Sequence, residues 1–138
     1  MRSLSLLFSI LISCSLLAQD VLSPENLWKL KRVYGEQVSP DGKSILFIQK
    51  EYNLAEDGGT SHLMMVKLNG NDPNRISDGE ESIGGAQWRP DGKKIGYLSS
   101  SSGSNQLWEM NPDGSDRKQV TSFDFDIGNW SFAPDMKH

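Results

Sequence analysis

Cysteine occurs once in the 138 residues, at Cys14, and histidine twice, at His62 and His138. One thiol excludes an internal disulfide framework, and two imidazoles without a suitably spaced third ligand argue against a zinc site. Positive charge is in deficit as well: 14 Lys and Arg face 18 Asp and Glu, for a net charge of -4. Phosphate backbones would repel such a chain, so no nucleic-acid partner is expected. Apolar residues make up 36% of the sequence, but 12 of them lie in the first 18 positions. The remainder is about 32% apolar, which is lean for a closed core. Gly-x-Ser-x-Gly is absent, so the strand-to-helix elbow that presents a nucleophilic serine is not encoded here. The nearest approach, Glu80-Glu81-Ser82-Ile83-Gly84, has glutamate where the sharp turn needs glycine. Ser82 is therefore read as an ordinary loop serine.

What is present begins with an address. Arg2 precedes the apolar run from Leu4 to Ile12, which leads into small residues ending at Ala18 and turns polar from Gln19 onward. The run is too short for a permanent membrane-spanning helix, and its layout is that of a signal peptide over residues 1–18, cleaved after Ala18. A second reading uses Leu11-Ile12-Ser13-Cys14, which resembles a bacterial lipobox and would make Cys14 a lipid anchor. Under both readings the product is exported, periplasmic or secreted, with no membrane span.

Residues 19–35 read as a helical segment. Ser23-Pro24-Glu25-Asn26 supplies a serine cap, a proline at the first helical position and an acid beside the positive end of the dipole. The spacing of Leu27, Leu30 and Tyr34 predicts one apolar face running to a stop at Gly35.

A repeat occupies residues 36–138. Gln37-Val38-Ser39-Pro40-Asp41-Gly42-Lys43 returns as Gln87-Trp88-Arg89-Pro90-Asp91-Gly92-Lys93 and again as Ser131-Phe132-Ala133-Pro134-Asp135-Met136-Lys137. Pro-Asp-Gly suits a tight turn: proline fixes φ at the first corner, aspartate bonds the backbone ahead, and glycine accepts the left-handed conformation. Apolar runs follow the first two copies, Ile45 to Ile48 and Ile95 to Leu98, as inner strands require. Leu63-Met64 matches Leu107-Trp108, Gly70 matches Gly114, and Ile76-Ser77 matches Val120-Thr121. The extra residues of the first unit fall in the polar stretch Glu51 to Ser61, expected as a loop insertion, with Ser99 to Ser102 as the tip of the shorter second loop. Four short strands per unit of about 44 residues is the signature of a β-propeller. The expected fold is thus all-β: a partial propeller of about two four-stranded blades and the start of a third, behind a signal peptide and a short helix.

The stretch Ser23 to Leu30, followed by Gln37 to Lys43, resembles the start of dipeptidyl aminopeptidase and acylaminoacyl peptidase relatives in the prolyl oligopeptidase family of serine peptidases. Pro-Asp-Gly repeats also resemble those of the periplasmic propeller of the Tol system. The family resemblance implies a propeller that screens peptide access to a serine, aspartate and histidine triad carried by an α/β-hydrolase domain, which these residues do not include. The chain is accordingly expected to contribute no catalytic residue, cofactor site or metal site, to meet peptide substrate only through that hydrolase domain, and to need further blades or a partner chain for closure. The rival expectation is a non-catalytic exported propeller that binds protein or glycan.

Remaining candidates receive structural readings. Glu80-Glu81 could in principle bind an ammonium group, but its place ahead of a strand sets it apart from the glutamate pair of the family, which belongs to a helical insertion. Segments Asn69 to Pro73 and Asn111 to Asp116 lack calcium-loop spacing and read as hairpin turns. Trp88, Trp108 and Trp130 are expected at strand positions filling the space between blades, with Met64-Met65 packed on alternate faces of one strand. His62 and His138 are taken as ordinary polar residues, and Met136 stands where the third turn would want glycine.

Overall fold

A computed structural model describes residues 23–53, 55–70, 73–77, 83–133 and 135. The signal segment with Cys14, the Glu80-Glu81-Ser82 stretch, Met136 and His138 lie outside them.

The chain enters through a short helix, α1 (Pro24–Lys29), whose start follows the sequence grammar: the Ser23 side chain accepts the Asn26 N–H at 3.2 Å, and Glu25 lies in the first turn. Its end does not. Leu30 is already extended, and Arg32–Val38 forms strand β1, so the helical segment stops well short of Gly35. The reason is energetic: α1 buries none of its residues, and six residues make too short a helix to persist without packing. Val33 and Tyr34 instead pair with Gln49 and Ile48 of strand β2 (Ser44–Asn53), where branched and aromatic side chains are well accommodated. Tyr34 therefore shares no face with Leu27 and Leu30; its hydroxyl lies 3.1 Å from that of Ser61.

Two four-stranded antiparallel sheets follow. The first runs in the order β1, β2, β3 (Gly58–Lys67), β4 (Asn74–Arg75). The second runs β5 (Ile83–Trp88), β6 (Ile95–Ser99), β7 (Gln106–Met110), β8 (Lys118–Gln119). Their registers are superimposable. Val38 pairs with Ile45 as Trp88 pairs with Ile95, and Met64 pairs with Phe47 and Arg75 as Trp108 pairs with Tyr97 and Gln119. Even the irregularity repeats, a bulge between Tyr34 and Gln37 and another between Gly84 and Gln87. Ile45 and Ile95 thus occupy equivalent strands of adjacent blades.

The first unit's additional residues do not form a loop. They extend the β2–β3 ladder through the pairs Glu51 and Thr60, Tyr52 and Gly59, and Asn53 and Gly58, giving strands of 10 residues where β6 and β7 have 5. Tyr52 anchors the extension. Trp28 of α1 meets its ring edge-on at 5.7 Å, and Arg32 and Lys50 lie 4.6 and 4.9 Å from its centroid.

The core lies between the sheets. Leu46, Ile48 and Leu63 of the first meet Ile83, Ile95, Tyr97 and Met110 of the second, all essentially buried, with Met65, Trp88 and Trp108 at the margin. Burying each such side chain contributes about 1.5–3 kcal/mol. The other face of the second sheet is covered by the opening of the third repeat. Trp130 and Phe132, edge-to-face at 4.9 Å, lie over Gly96, and the Trp130 indole donates to the Gly85 carbonyl at 2.8 Å. Trp130 is not in a strand, contrary to expectation; it packs over the second sheet from an irregular segment.

A Cβ at Gly96 would collide with Trp130 and approach Phe132 Cζ to 3.0 Å, whereas one at Gly84 would meet nothing. Gly96→Val should therefore lower unfolding free energy by about 1–3 kcal/mol. Gly84→Ala should stay within about 0.5 kcal/mol. Urea unfolding followed by tryptophan fluorescence measures both, and equal effects would contradict the packing of residues 130–132 on this sheet.

Candidate functional site between the blades

The turn residues build the rim of a concavity between the two sheets. At Pro40-Asp41-Gly42, the Gly42 N–H bonds the Ser39 carbonyl at 2.8 Å with Gly42 at φ +71°, and Asp41 Oδ1 accepts the Lys43 N–H at 3.1 Å and the Ser39 hydroxyl at 2.6 Å. At Pro90-Asp91-Gly92 the arrangement repeats, with Gly92 at φ +70°. There Arg89 takes the serine's place and grips both Asp91 oxygens, at 2.8 and 3.1 Å. A third turn of this kind, Pro112-Asp113-Gly114, joins β7 to β8, and Asp113 Oδ1 accepts the Ser115 N–H and hydroxyl.

These turns crowd together where the blades meet. Pro40 lies against Gly92, and Gly114 passes so close to the Ile76 carbonyl that no side chain would fit. Arg117 ties the same carbonyl across the seam at 3.0 Å. Between them opens a cleft of about 660 Å³. The first blade lines it with Ser39, Pro40 and Asp41 from the turn, Met65 and Lys67 from β3, and Arg75 and Ile76 near β4. The second contributes Trp88, Asp91 and Gly92, with Pro112 and Asp113 closing one end. Hydrogen bonds hold all three carboxyls below the usual aspartate range: the Ser39 hydroxyl and then the Lys43 N–H for Asp41, Arg89 and then Lys93 for Asp91, and the Ser115 hydroxyl and N–H for Asp113. All three are anionic at neutral pH. The Trp88 Nε1–H is buried without a hydrogen-bond partner.

A second polar position shows what the repeat leaves variable. Gln106 is 1% exposed and clamps the chain leaving the blade: its amide donates to the carbonyls of Phe123 and Phe125 and accepts the Thr121 hydroxyl and the Phe123 N–H. The equivalent residue in the first blade is His62, 8% exposed, with Nδ1 unpartnered. Read from the sequence as an ordinary polar residue, it is buried in the structure. Burial lowers its pKa below 6.5, aided by the Arg75 and Lys31 charges and opposed by Glu51.

Glutamines also bridge the blades. Gln37 Oε1 accepts the Trp88 N–H at 3.2 Å, and Gln87 Nε2 donates to the Trp130 carbonyl at 2.9 Å. Sequence reading passed over both, although Gln37 and Gln87 open the first two copies of the repeat and that recurrence was the available signal. No cluster of three or more His, Cys, Asp or Glu capable of holding a metal occurs among the described residues, and none of their helices is long and apolar enough to cross a membrane. Ser82 and Glu80-Glu81 cannot be placed, since they lie outside the described residues.

No family model matches the chain. It is 35% identical over 116 residues to the curated dipeptidyl-peptidase 5 of Porphyromonas gingivalis, and 29% identical over 118 residues to that of Porphyromonas endodontalis. These matches cover 84% and 86% of this chain, which spans 17% of the length of either relative. Among solved structures, the apo AtxE2 isopeptidase matches with a TM-score of 0.65 at 16% identity, covering 78% of this chain and 21% of that one. That likeness is one of fold. A putative TolB from Agrobacterium tumefaciens matches at 0.56 with 25% identity, covering 70% of this chain and 32% of that one. The two sheets are thus propeller blades, as the repeat implies.

His62 generates a pH dependence of defined sign. With its folded pKa depressed, the stability that it contributes is complete above about pH 6.5 and falls as pH drops from there through the folded value. His62→Gln, which copies Gln106, should flatten unfolding free energy between pH 7 and 5 relative to the parent. A Cε1 proton assigned to His62, by its disappearance in His62→Gln, that titrates at or above 6.5 would contradict the lowered pKa.

Proposed function

We propose a substrate-access role for this chain, which belongs to the N-terminal propeller region of the prolyl oligopeptidase family. The observation that carries this reading is the conjunction of two registered, superimposable blades with the 35% match to a dipeptidyl-peptidase 5 along 84% of the chain. The propeller would screen peptides on their way to a serine nucleophile supplied by a hydrolase domain of the same polypeptide. This region contributes shape and not bond-breaking groups, in keeping with the absence of a Gly-x-Ser-x-Gly elbow from the sequence. The apolar run from Leu4 to Ile12 behind Arg2, ending in small residues, supports export to the periplasm or beyond.

The likeness to a TolB at 25% identity favours a second reading, a non-catalytic exported propeller that binds a partner. One reading of the coding sequence past His138 discriminates. The peptidase reading expects more Pro-Asp-Gly units and then Gly-x-Ser-x-Gly; repeats alone would support the binding module. In an assay of dipeptidyl-coumarylamide hydrolysis, the 138-residue chain should show no turnover, while the polypeptide carrying the serine elbow should be active and lose at least about 10³-fold on replacement of that serine. Turnover by the 138 residues alone would overturn the proposal.

A further inference from the structure

Four turns of the two blades share one geometry. In each a glycine of positive φ, Gly42 at +71°, Gly70 at +86°, Gly92 at +70° and Gly114 at +84°, donates its N–H to the carbonyl three residues back. The residue before the glycine is aspartate in three of them and Asn69 in the turn that leaves β3. Asp113 holds the equivalent place in the second blade. No other asparagine of the sequence precedes a glycine.

That single difference alters the chemistry of the turn. A carboxamide carbon is an electrophile that the next backbone nitrogen can attack, and glycine, lacking a Cβ, offers the least crowded nitrogen. Carboxylates resist such attack, and hydrogen bonds hold Asp41, Asp91 and Asp113 below the usual aspartate range. Each also accepts the N–H of Lys43, Lys93 or Ser115, which fastens the side chain to its own turn. Asn69 has no such fastening: its amide bonds no described residue, and Asn69 and Gly70 are both exposed. The glycine N–H is held least firmly here, 3.2 Å from the Lys67 carbonyl against 2.8 Å at Gly42 and Gly92 and 2.9 Å at Gly114. Nothing lies within 4 Å of the place a Cβ would take on Gly70, so the turn has room to open. The remaining asparagines precede proline or residues whose side chains crowd the attacking nitrogen.

We propose that Asn69 is a self-modification site, converting through a succinimide to isoaspartate and aspartate and resetting the turn between β3 and β4. The Gly70 nitrogen bonds to Asn69 Cγ, the Cγ–N bond of the carboxamide breaks, and that nitrogen leaves with the Gly70 proton as ammonia. Water then opens the ring at either carbonyl, with no change of oxidation state. Opening at the main-chain carbonyl routes the backbone through the side chain and lengthens the turn by a methylene. Strand β4 is poorly placed to absorb this, since it holds β3 through two residue pairs only, Met64 with Arg75 and Met65 with Asn74. The next residue, Ile76, carries the carbonyl that Arg117 grips across the seam. None of these steps draws on the proposed access role.

The test incubates the 138-residue chain at neutral pH and maps its tryptic peptides by mass, with fragmentation to place each change. The peptide Leu68 to Arg75 should gain an acid in place of the amide at Asn69, mostly as isoaspartate, which the protease Asp-N does not cut. Conversion should outpace that at Asn26, Asn53 or Asn105 by at least about tenfold, and should speed up from pH 6 to pH 8 because the attacking amide nitrogen must lose its proton. Asn69→Gln, which would need a larger ring, should abolish it. Asn69→Asp copies Asp113 and should unfold in urea with the parent, while the isoaspartate form, separated by its added negative charge on anion exchange, should unfold at lower urea. An unchanged Asn69, equal conversion at the other asparagines, aspartate without isoaspartate, or an isoaspartate form as stable as Asn69→Asp would overturn the proposal.

Discussion

A four-stranded sheet of this kind has two faces and no interior of its own, so everything in the structure depends on one sheet covering another. The seam between the blades is where that happens: Leu46, Ile48 and Leu63 meet Ile95, Tyr97 and Met110. The alternation of side chains along β2 and β6 directs one set forward and the next set back. That explains why runs such as Ile95 to Leu98 are apolar at every position rather than at every second one. Tyr97 buries its ring against the first blade, while Gly96 opens room for Trp130 and Phe132 on the other side. Glycine in a strand usually weakens it. Here the loss of a side chain is offset by the aromatic pair that occupies its place.

Hydrophobic contact fixes that the blades stack; polar contacts fix where. Gln37 and Gln87 each reach the backbone of the following blade, and Arg117 caps the Ile76 carbonyl where the β7–β8 turn passes. These bonds tie backbone groups that the sheets leave unpaired at their margins, so sliding one blade against the next would strand several donors and acceptors at once. The turns serve the same end. Their aspartates close each hairpin locally and at the same time line the rim of the seam, which couples the most repetitive feature of the sequence to the cleft between the blades.

Much of this was legible in the sequence because it is periodic. The spacing of Pro40, Pro90 and Pro134 and the matched pairs 44 residues apart determine blade number, strand order and turn positions without reference to any contact. What was not legible is what periodicity does not control. Val33 and Tyr34 suit a helix face as well as a strand, and only the availability of β2 as a partner decides between them. The stretch Glu51 to Ser61 is polar and glycine-bearing, yet the Tyr52 ring, held by Trp28, Arg32 and Lys50, keeps it in register as a longer hairpin. The cleft was likewise hidden, since its walls come from residues about 25 to 70 positions apart, none unusual alone.

The same dependence on neighbours accounts for the exposed apolar residues. Val38 and Trp88 hold equivalent places in the repeat, each paired with the isoleucine that opens the next strand. Val38 is 60% exposed, while Trp88 is packed against the core. Nothing local separates them; Trp88 faces a sheet and Val38 does not. Val33, on the same face as Val38 by the pairing with Gln49, is exposed to a similar degree. Burial at this position of the repeat therefore follows the order of blades. Two sheets obtain one seam and three obtain two, so each added blade contributes a whole interface while leaving the number of uncovered faces unchanged. A propeller built this way gains stability in steps, and its first blade has most to gain from whatever sheet lies behind it.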